Sequence, residues 1–373
     1  MQPKENELLS SWLTRMAFAH GQTLSIFISS YIKHEGSAIS RTDIDFRYNQ
    51  ELFKQLSFKS GLNIQIIQKM SLRSEEGYLF ICNNCLYPPQ QIRKLIDKRT
   101  HYGLMFCPKC LAEDTVPYFR KEWRYYFYNA CPKHNTLLVD RCGQCYSPIK
   151  LNKMAYSNEI IYCHDCGRDI RKTQPKYFAS NLKYGLDAIT WFENGLKNGY
   201  FIVENRKINS LFLFRIFTHL QYLINSKKNI NIDTFLLQKE FIDIRKKLQN
   251  YNSKKSSSIY KNFYMTAIIY NLFQKFPHNL KIFAKNNNFT HRDFLHDFKN
   301  VPYWYTIQVD KITPMQNTVG RTISESEVLG AIDYLKSKNM KVTQQSVAEI
   351  VGCHFSMNKE FVKIYKYVTS PNS

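Results

Sequence analysis

The chain has 373 residues, 44% of them hydrophobic and 15% aromatic, enough apolar side chain to build packed cores and too much for a disordered chain. Its 52 Lys and Arg outnumber 30 Asp and Glu for a formal charge of +22, which points to a polyanionic partner, most often nucleic acid. The longest apolar run, Leu211–Ile224, is broken by Arg215 and His219 and is too short to span a bilayer, so no membrane partner is expected.

The opening MQPKENELLS lacks the apolar stretch of a secretory signal, and a cytoplasmic, nucleoid-associated chain is expected. Leu8, Leu9, Trp12, Leu13 and Met16 recur at helical spacing, Gly21 interrupts, and Leu24 to Ile32 resumes the pattern. Further helices are expected over Gln50–Phe58 and Asn63–Met70, with Gly61 between them. Nine of the ten cysteines then fall between residues 82 and 167, among short Pro and Gly turns. Helical patterns return after Pro175, including Leu211–Asn225 and Asn262–Lys275, the latter stopped near Pro277. Half of the excess charge, +11, lies between Phe201 and Asn300. Asn250–Ser258 and Lys311–Arg321 have the composition of linkers. The expected architecture is mainly α with small zinc-binding modules. A helical, helix-turn-helix-like unit occupies 1–80, tandem zinc fingers or ribbons 81–175, and a basic helical domain 176–310. A C-terminal helical unit with a candidate helix-turn-helix occupies 322–373.

Four metal half-sites follow one another: Cys107-Pro-Lys-Cys110, Cys131-Pro-Lys-His134, Cys142-Gly-Gln-Cys145 and Cys163-His-Asp-Cys166. Two intervening residues let a knuckle turn aim both ligands at one ion, and a second pair completes a tetrahedron. Thiolate-rich sets with no open position suit structural zinc. The simplest pairing is sequential, giving two structural Zn²⁺ ions; sharing between the first and third half-sites is the alternative. Cys82-Asn-Asn-Cys85 has no matching pair. It is expected as a remnant or buried thiol pair, the alternative being a third site with His101 or with Cys353 and His354. Trp123 and Tyr125 are expected in the core of the zinc module.

The block from Phe106 to Cys145 resembles the TniQ family, which includes TnsD-like proteins. It carries Cys107, Cys110, Leu111, Glu113, Asp114, Tyr118, Trp123, Arg124, Cys131, His134, Leu137, Leu138, Cys142 and Cys145. Upstream, Glu7 to Ala17 with Gly21, then Thr42-Asp43-Ile44-Asp45, Ser60-Gly61-Leu62 and Met70-Ser71-Leu72, resemble the family opening. The resemblance spans about residues 5–170; Cys82 and Cys85 are not part of its pattern. It implies a non-enzymatic target-selection adaptor of a heteromeric cut-and-paste transposon. Such proteins read an attachment sequence in double-stranded DNA or dock on a CRISPR Cascade with its guide RNA. They recruit a AAA+ transposition ATPase, TnsC- or TniB-like.

DNA-contact candidates come from the residues themselves. An amphipathic helix over 324–338, Thr343 as N-cap of a helix through Ile350, and a bend at Gly352 suit a helix-turn-helix, with a plain helical hairpin as the alternative. Phe355–Lys366 would be its recognition helix, presenting Ser356, Asn358, Lys359, Lys363 and Lys366, with Asn358 and Lys359 as base readers. In the basic middle region Lys246, Lys247, Lys254 and Lys255 are phosphate-contact candidates, with Lys207, Lys227, Lys228 and Arg245. Arg120, Lys121 and Arg124, crowded beside Trp123, are candidates to face DNA or a partner. A zinc-containing transcription regulator would use the same parts. A nuclease or integrase would need a carboxylate triad or nucleophile arrangement, and none is identifiable.

Overall fold

The computed structural model of the protein describes residues 1–32, 43–47, 50–82, 85, 87–95, 103–174, 183–226, 257–296, 298, 301–313, 323–353 and 358–370. The chain is mainly helical, as its periodicity predicts. α1 (Leu9–Ala19) buries Leu9, Trp12, Leu13, Ala17 and Phe18, the stripe that spacing of three and four residues puts on one face. α2 (Leu24–Tyr31) starts where Thr23 accepts a hydrogen bond from the Ile26 amide, and α3 (Gln50–Ser60) ends before Gly61. Asn63 caps α4 (Ile64–Met70).

Short elements carry the cysteine-rich stretch: α5 (Pro108–Glu113), 3₁₀ turns at Lys121–Arg124, Leu151–Lys153 and Ile170–Lys172, and a hairpin of β1 (Ala130–Cys131) and β2 (Thr136–Leu137). α6 (Lys183–Asn198) follows, then an antiparallel hairpin of β3 (Tyr200–Val203) and β4 (Arg206–Asn209). Its two-residue turn has Glu204 and Asn205 both at positive φ, 48° and 61°, the mirror-image turn whose twist matches paired strands. This hairpin was not expected. α7 (Ser210–Ser226), α8 (Ser257–Gln274) and α9 (His278–Asn286) complete the first unit. α8 begins at Ser257, so the expected linker through Ser258 ends two residues early.

Contacts divide the chain into two compact units, Met1–Asn286 and Asn287–Ser373. The first takes in described residues from both sides of the boundaries expected at 80 and 175. The reason is aromatic packing: Phe127, from the cysteine-rich stretch, stacks 5.3 Å from Phe214 of α7 and 5.6 Å from Phe192 of α6. The Gln91 amide donates to Thr218 Oγ1 (2.9 Å), and the Tyr126 hydroxyl donates to Asn262 Oδ1 (2.6 Å).

The second unit holds α10 (His291–Leu295), α11 (Tyr303–Ile312), α12 (Glu325–Ser337), α13 (Gln344–Val351) and α14 (Lys359–Thr369). α10 and α11 therefore group with the C-terminal helices and not with the basic middle region. α12–α14 close around Val328, Ala331, Ile332, Leu335, Val347, Ala348, Val351, Cys353 and Phe361. Ser324 and Thr343 form capping boxes, and Gly352 ends α13 in the left-handed conformation. Residues 352–358 separate α13 from α14, a longer connection than a tight helix-turn-helix bend. Among the described residues no helix is long and apolar enough to cross a membrane.

Candidate metal centres

Cys107 precedes α5 and Cys110 sits on its first turn, with Pro108 between them at the position where a helix needs no amide proton. Opposite, the β1–β2 hairpin delivers Cys131, and its loop delivers His134 before Asn135 turns the chain at φ 51°. His134 Nδ1 lies 3.4 Å from Cys107 Sγ, 3.3 Å from Cys110 Sγ and 3.4 Å from Cys131 Sγ, and the Cys110 and Cys131 sulfurs are 3.6 Å apart. A zinc tetrahedron with Zn–S of about 2.3 Å and Zn–N of about 2.0 Å has edges of ~3.8 Å between sulfurs and ~3.5 Å between sulfur and nitrogen. The observed edges match within a few tenths of an ångström. The other ring nitrogen, Nε2, is 2.8 Å from Glu113 Oε1, the carboxylate partner that fixes a ligating imidazole's tautomer and orientation. Lys133, at 2.6 Å, and then His134 hold the Glu113 carboxyl below its ordinary range.

The second centre is built from two copies of one turn. In each, the first cysteine's amide donates to the carbonyl five residues on: Cys142 to Ser147 (3.0 Å) and Cys163 to Arg168 (2.9 Å). In each, the carbonyl of that cysteine accepts from the amide four residues on: Tyr146 (3.1 Å) and Gly167 (2.9 Å). The pairs Cys142–Cys166 and Cys145–Cys163 both stand 3.6 Å apart, again the edge of a thiolate tetrahedron. All four ligand atoms of each centre lie within 4.8 Å of one another, so the pairing is sequential and the crossed arrangement does not occur. Backbone bonds join the centres: Phe106 and Val139 exchange amide bonds at 2.9 and 3.0 Å, and Leu104 donates to Ile149 at 2.9 Å.

Cys82 and Cys85 are joined in a disulfide, with Cys82 buried and Cys85 exposed, so the pair is oxidised and only half buried where a buried thiol pair was expected, and it offers no third half-site there. Cys353 is a core residue of the C-terminal unit. His101 and His354 lie outside the described residues.

Three expected DNA contacts are corrected. Arg124 is 0% exposed; its guanidinium pairs with Asp43 and, at 3.1 Å, with Asp45, and it donates to the Arg93 carbonyl at 2.9 Å. Asp45 also accepts from the Ser10 amide (2.7 Å) and hydroxyl (2.8 Å); burial raises its carboxyl while Arg124 pulls it back. Lys121 is buried against Glu75 (2.7 Å) and Ser74 (3.0 Å). Arg120 pairs with Asp114 at 2.6 Å and stacks over Tyr118 and Trp123. Lys121 and Arg124, buried and paired, have no free face for a phosphate, and the half-buried Arg120 has its guanidinium engaged by Asp114. These residues hold α1, the Asp43–Asp45 turn and the first centre together, alongside the buried Glu7–Arg15 pair (2.7 Å). Trp123 and Tyr125 are core residues, as expected.

Asn358 is also corrected as a base reader. Its side chain accepts from the Phe361 amide as the N-cap of α14, and it is 5% exposed. The helix accordingly begins at Lys359 and not at Phe355. Lys359, Lys363 and Lys366 are exposed along one stripe of α14. Lys207 is exposed on β4, its ammonium 4.8 Å from the Tyr200 ring centre. Ser356, Lys227, Lys228, Arg245, Lys246, Lys247, Lys254 and Lys255 lie outside the described residues.

Sequence reasoning did not assign Glu113 as the orienting partner of His134, although the three residues from Cys110 to Glu113 place it one helical turn from a ligand. It also left Asp43 and Asp45 without a role. Among curated proteins no sequence matches this chain. Residues 1–138 match the family model described as TniQ, a stretch holding the first centre and the buried ion pairs but ending before Cys142, and over that stretch the chain carries a TniQ domain.

Proposed function

We propose that this chain is a target-selection adaptor of a transposon, binding double-stranded DNA and recruiting a AAA+ transposition ATPase, with no chemistry of its own. The observation that carries the reading is the TniQ domain over residues 1–138. Each Cys/His centre holds one Zn²⁺ in this reading. A closed thiolate set supplies folding free energy and leaves no position for substrate. Cys107, Cys110, Cys131 and His134 hold the first ion, and Cys142, Cys145, Cys163 and Cys166 the second. Lys359, Lys363 and Lys366 on α14 contact phosphates, which positions DNA without reading it.

A second reading, docking on a CRISPR Cascade whose guide RNA supplies the sequence, is favoured by the burial of Asn358. With that side chain spent on capping, the exposed stripe of α14 offers lysines, which are point charges rather than bidentate base readers. Mapping insertions in cells that carry the transposase and regulator ATPase, with and without this chain and with and without Cascade, tests both. Insertions directed to one site by this chain alone support direct targeting. Site choice that follows the guide supports docking, and an insertion profile unchanged by the chain removes the adaptor reading.

A further inference from the structure

The two knuckles of the second centre share a backbone, and the difference that bears on it falls at the residue after the second ligand. The position after the second ligand is left-handed in all three hairpin-like turns of the metal-binding stretch: Asn135 at φ 51°, Tyr146 at 59° and Gly167 at 69°. Gly and Asn adopt that conformation cheaply; a bulky aromatic residue does so at a cost. Packing does not account for Tyr146, because its side chain is 74% exposed. A residue held in a costly conformation with its ring in solvent points to a contact outside the chain.

Its surroundings say what kind. Tyr146 stands at the edge of a cleft of about 400 Å³ whose lining includes Arg141, Arg168, Lys172 and Gln174. The cleft is narrow where Gly143 passes Thr173. A Cβ at Gly143 would lie 3.1 Å from the threonine methyl, and the Gly143 amide donates to Thr173 Oγ1 at 3.3 Å. Arg141 is turned along the wall, donating to the Tyr146 carbonyl (3.3 Å) and lying 3.6 Å from Asp140, the acidic group of the lining. Arg168 donates to Gln144 Oε1, and Lys172 is exposed; among the described residues neither has an acidic partner. Nearby acids are engaged elsewhere, Asp169 and Glu159 with Arg171 and Asp165 with Ser147.

We propose that this face of the second centre binds single-stranded nucleic acid, with Tyr146 stacking on a base and Arg168 and Lys172 meeting the flanking phosphates. An exposed aromatic ring in one cleft with cations that lack acidic partners among the described residues is the arrangement that tracks an unpaired strand, since every base has a π-face and every linkage a charge. A duplex buries its base faces and would engage the cations only. The inference extends the adaptor reading to a particular surface. Its test uses purified protein and oligonucleotide, so it stands or fails apart from any insertion assay.

The experiment is fluorescence anisotropy of the full chain with labelled oligothymidylate and with a duplex of mixed sequence, on wild type, Tyr146→Asn, Tyr146→Phe and the Arg168→Gln/Lys172→Gln pair. Asparagine keeps the left-handed backbone and removes the ring; phenylalanine keeps the ring. Tyr146→Asn is expected to weaken single-strand binding roughly five- to hundredfold, with zinc content kept and melting temperature equal or higher, and Tyr146→Phe to retain binding. The double substitution is expected to lower the magnitude of the salt slope by about 0.7 for each lost phosphate contact. Four results would overturn the proposal: no single-strand binding by wild type, equal affinity of Tyr146→Asn, equal loss in Tyr146→Phe, or loss of zinc or melting temperature in Tyr146→Asn.

Discussion

The two candidate metal centres use the same Cys/His spacing for different ends. At the first, the cysteines are buried, the histidine is oriented by Glu113, and the basic residues around it are committed to carboxylates of the same domain. At the second, Cys166 and Tyr146 face solvent, and among the described residues Arg168 and Lys172 have no acidic partner. One centre closes a core; the other presents a surface. The contrast teaches that a zinc-binding spacing says little about what its rim does, because the rim is set by which charges find buried partners.

The largest break in this comparison should come from the ligands. Cys110→Ser removes a buried candidate ligand from the centre beside the Phe106–Val139 backbone pair, so it should abolish soluble folding of the first unit. Structural zinc contributes about 10–16 kcal/mol of apparent binding free energy in small domains. Cys166→Ser, at the exposed end of the second centre, should lose one zinc by metal analysis yet keep the helical circular dichroism of the first unit. Equal collapse of both variants would show that the centres are not distinct in role.

Next in size are the rim cations. Arg124→Gln leaves Asp43 and Asp45 facing each other without a guanidinium, and unpairing a buried charge costs about 3–5 kcal/mol. Arg168→Gln at the second centre should stay within about 0.5 kcal/mol of wild type, as surface substitutions do. Urea unfolding of both variants measures the difference. A small loss for Arg124→Gln would mean that the buried pairs are replaceable.

These assignments mark how far the residues alone could carry the reading. Helices from α1 to α4 and the grouping of the eight Cys and His residues into two clusters were legible, because both signals are local: hydrophobic spacing for one, two-residue gaps for the other. The fates of Arg120, Lys121 and Arg124 were not. Arg124 is 79 residues from Asp45, and the burial of a cation depends on a partner that only the tertiary fold brings up. The β3–β4 hairpin was missed because Glu204-Asn205 lacks the glycine that usually marks a mirror-image turn, while its aromatic flanks continue the helical composition. Asn358 was legible in principle. An Asn immediately before a helical run, accepting from the third residue on, is an N-cap signal, and placing the helix start at Phe355 hid it.

The orienting carboxylate gives a finer test. Glu113→Gln keeps the volume of the partner of His134 Nε2 but removes its charge, and losing such a partner typically costs 10–100-fold in metal affinity. Competition with a chelator should release one zinc per chain from this variant at a lower chelator concentration, leaving the all-cysteine centre, which has no histidine ligand, at its wild-type threshold. Release of both ions together would indicate one coupled metal module.

The smallest effect is a pH dependence confined to the first centre's domain. Burial, reinforced by Glu193, raises the Glu122 carboxyl from 4.5 to about 7. A carboxyl with a higher pKa folded than unfolded favours the native state in its protonated form. Its contribution is therefore full below pH 4.5 and fades as pH rises through 7. Glu122→Gln fixes the neutral form. The variant should match wild type in melting temperature at pH 5 and exceed it at pH 8, with the gap opening between those values. Arg168→Gln, at the second centre, should show no such gap, because it leaves Glu122 in place. A Glu122→Gln variant that is destabilised at both pH values would mean that the carboxylate is ionised and held by partners in the fold, and the first centre's surroundings would then be fully charge-compensated.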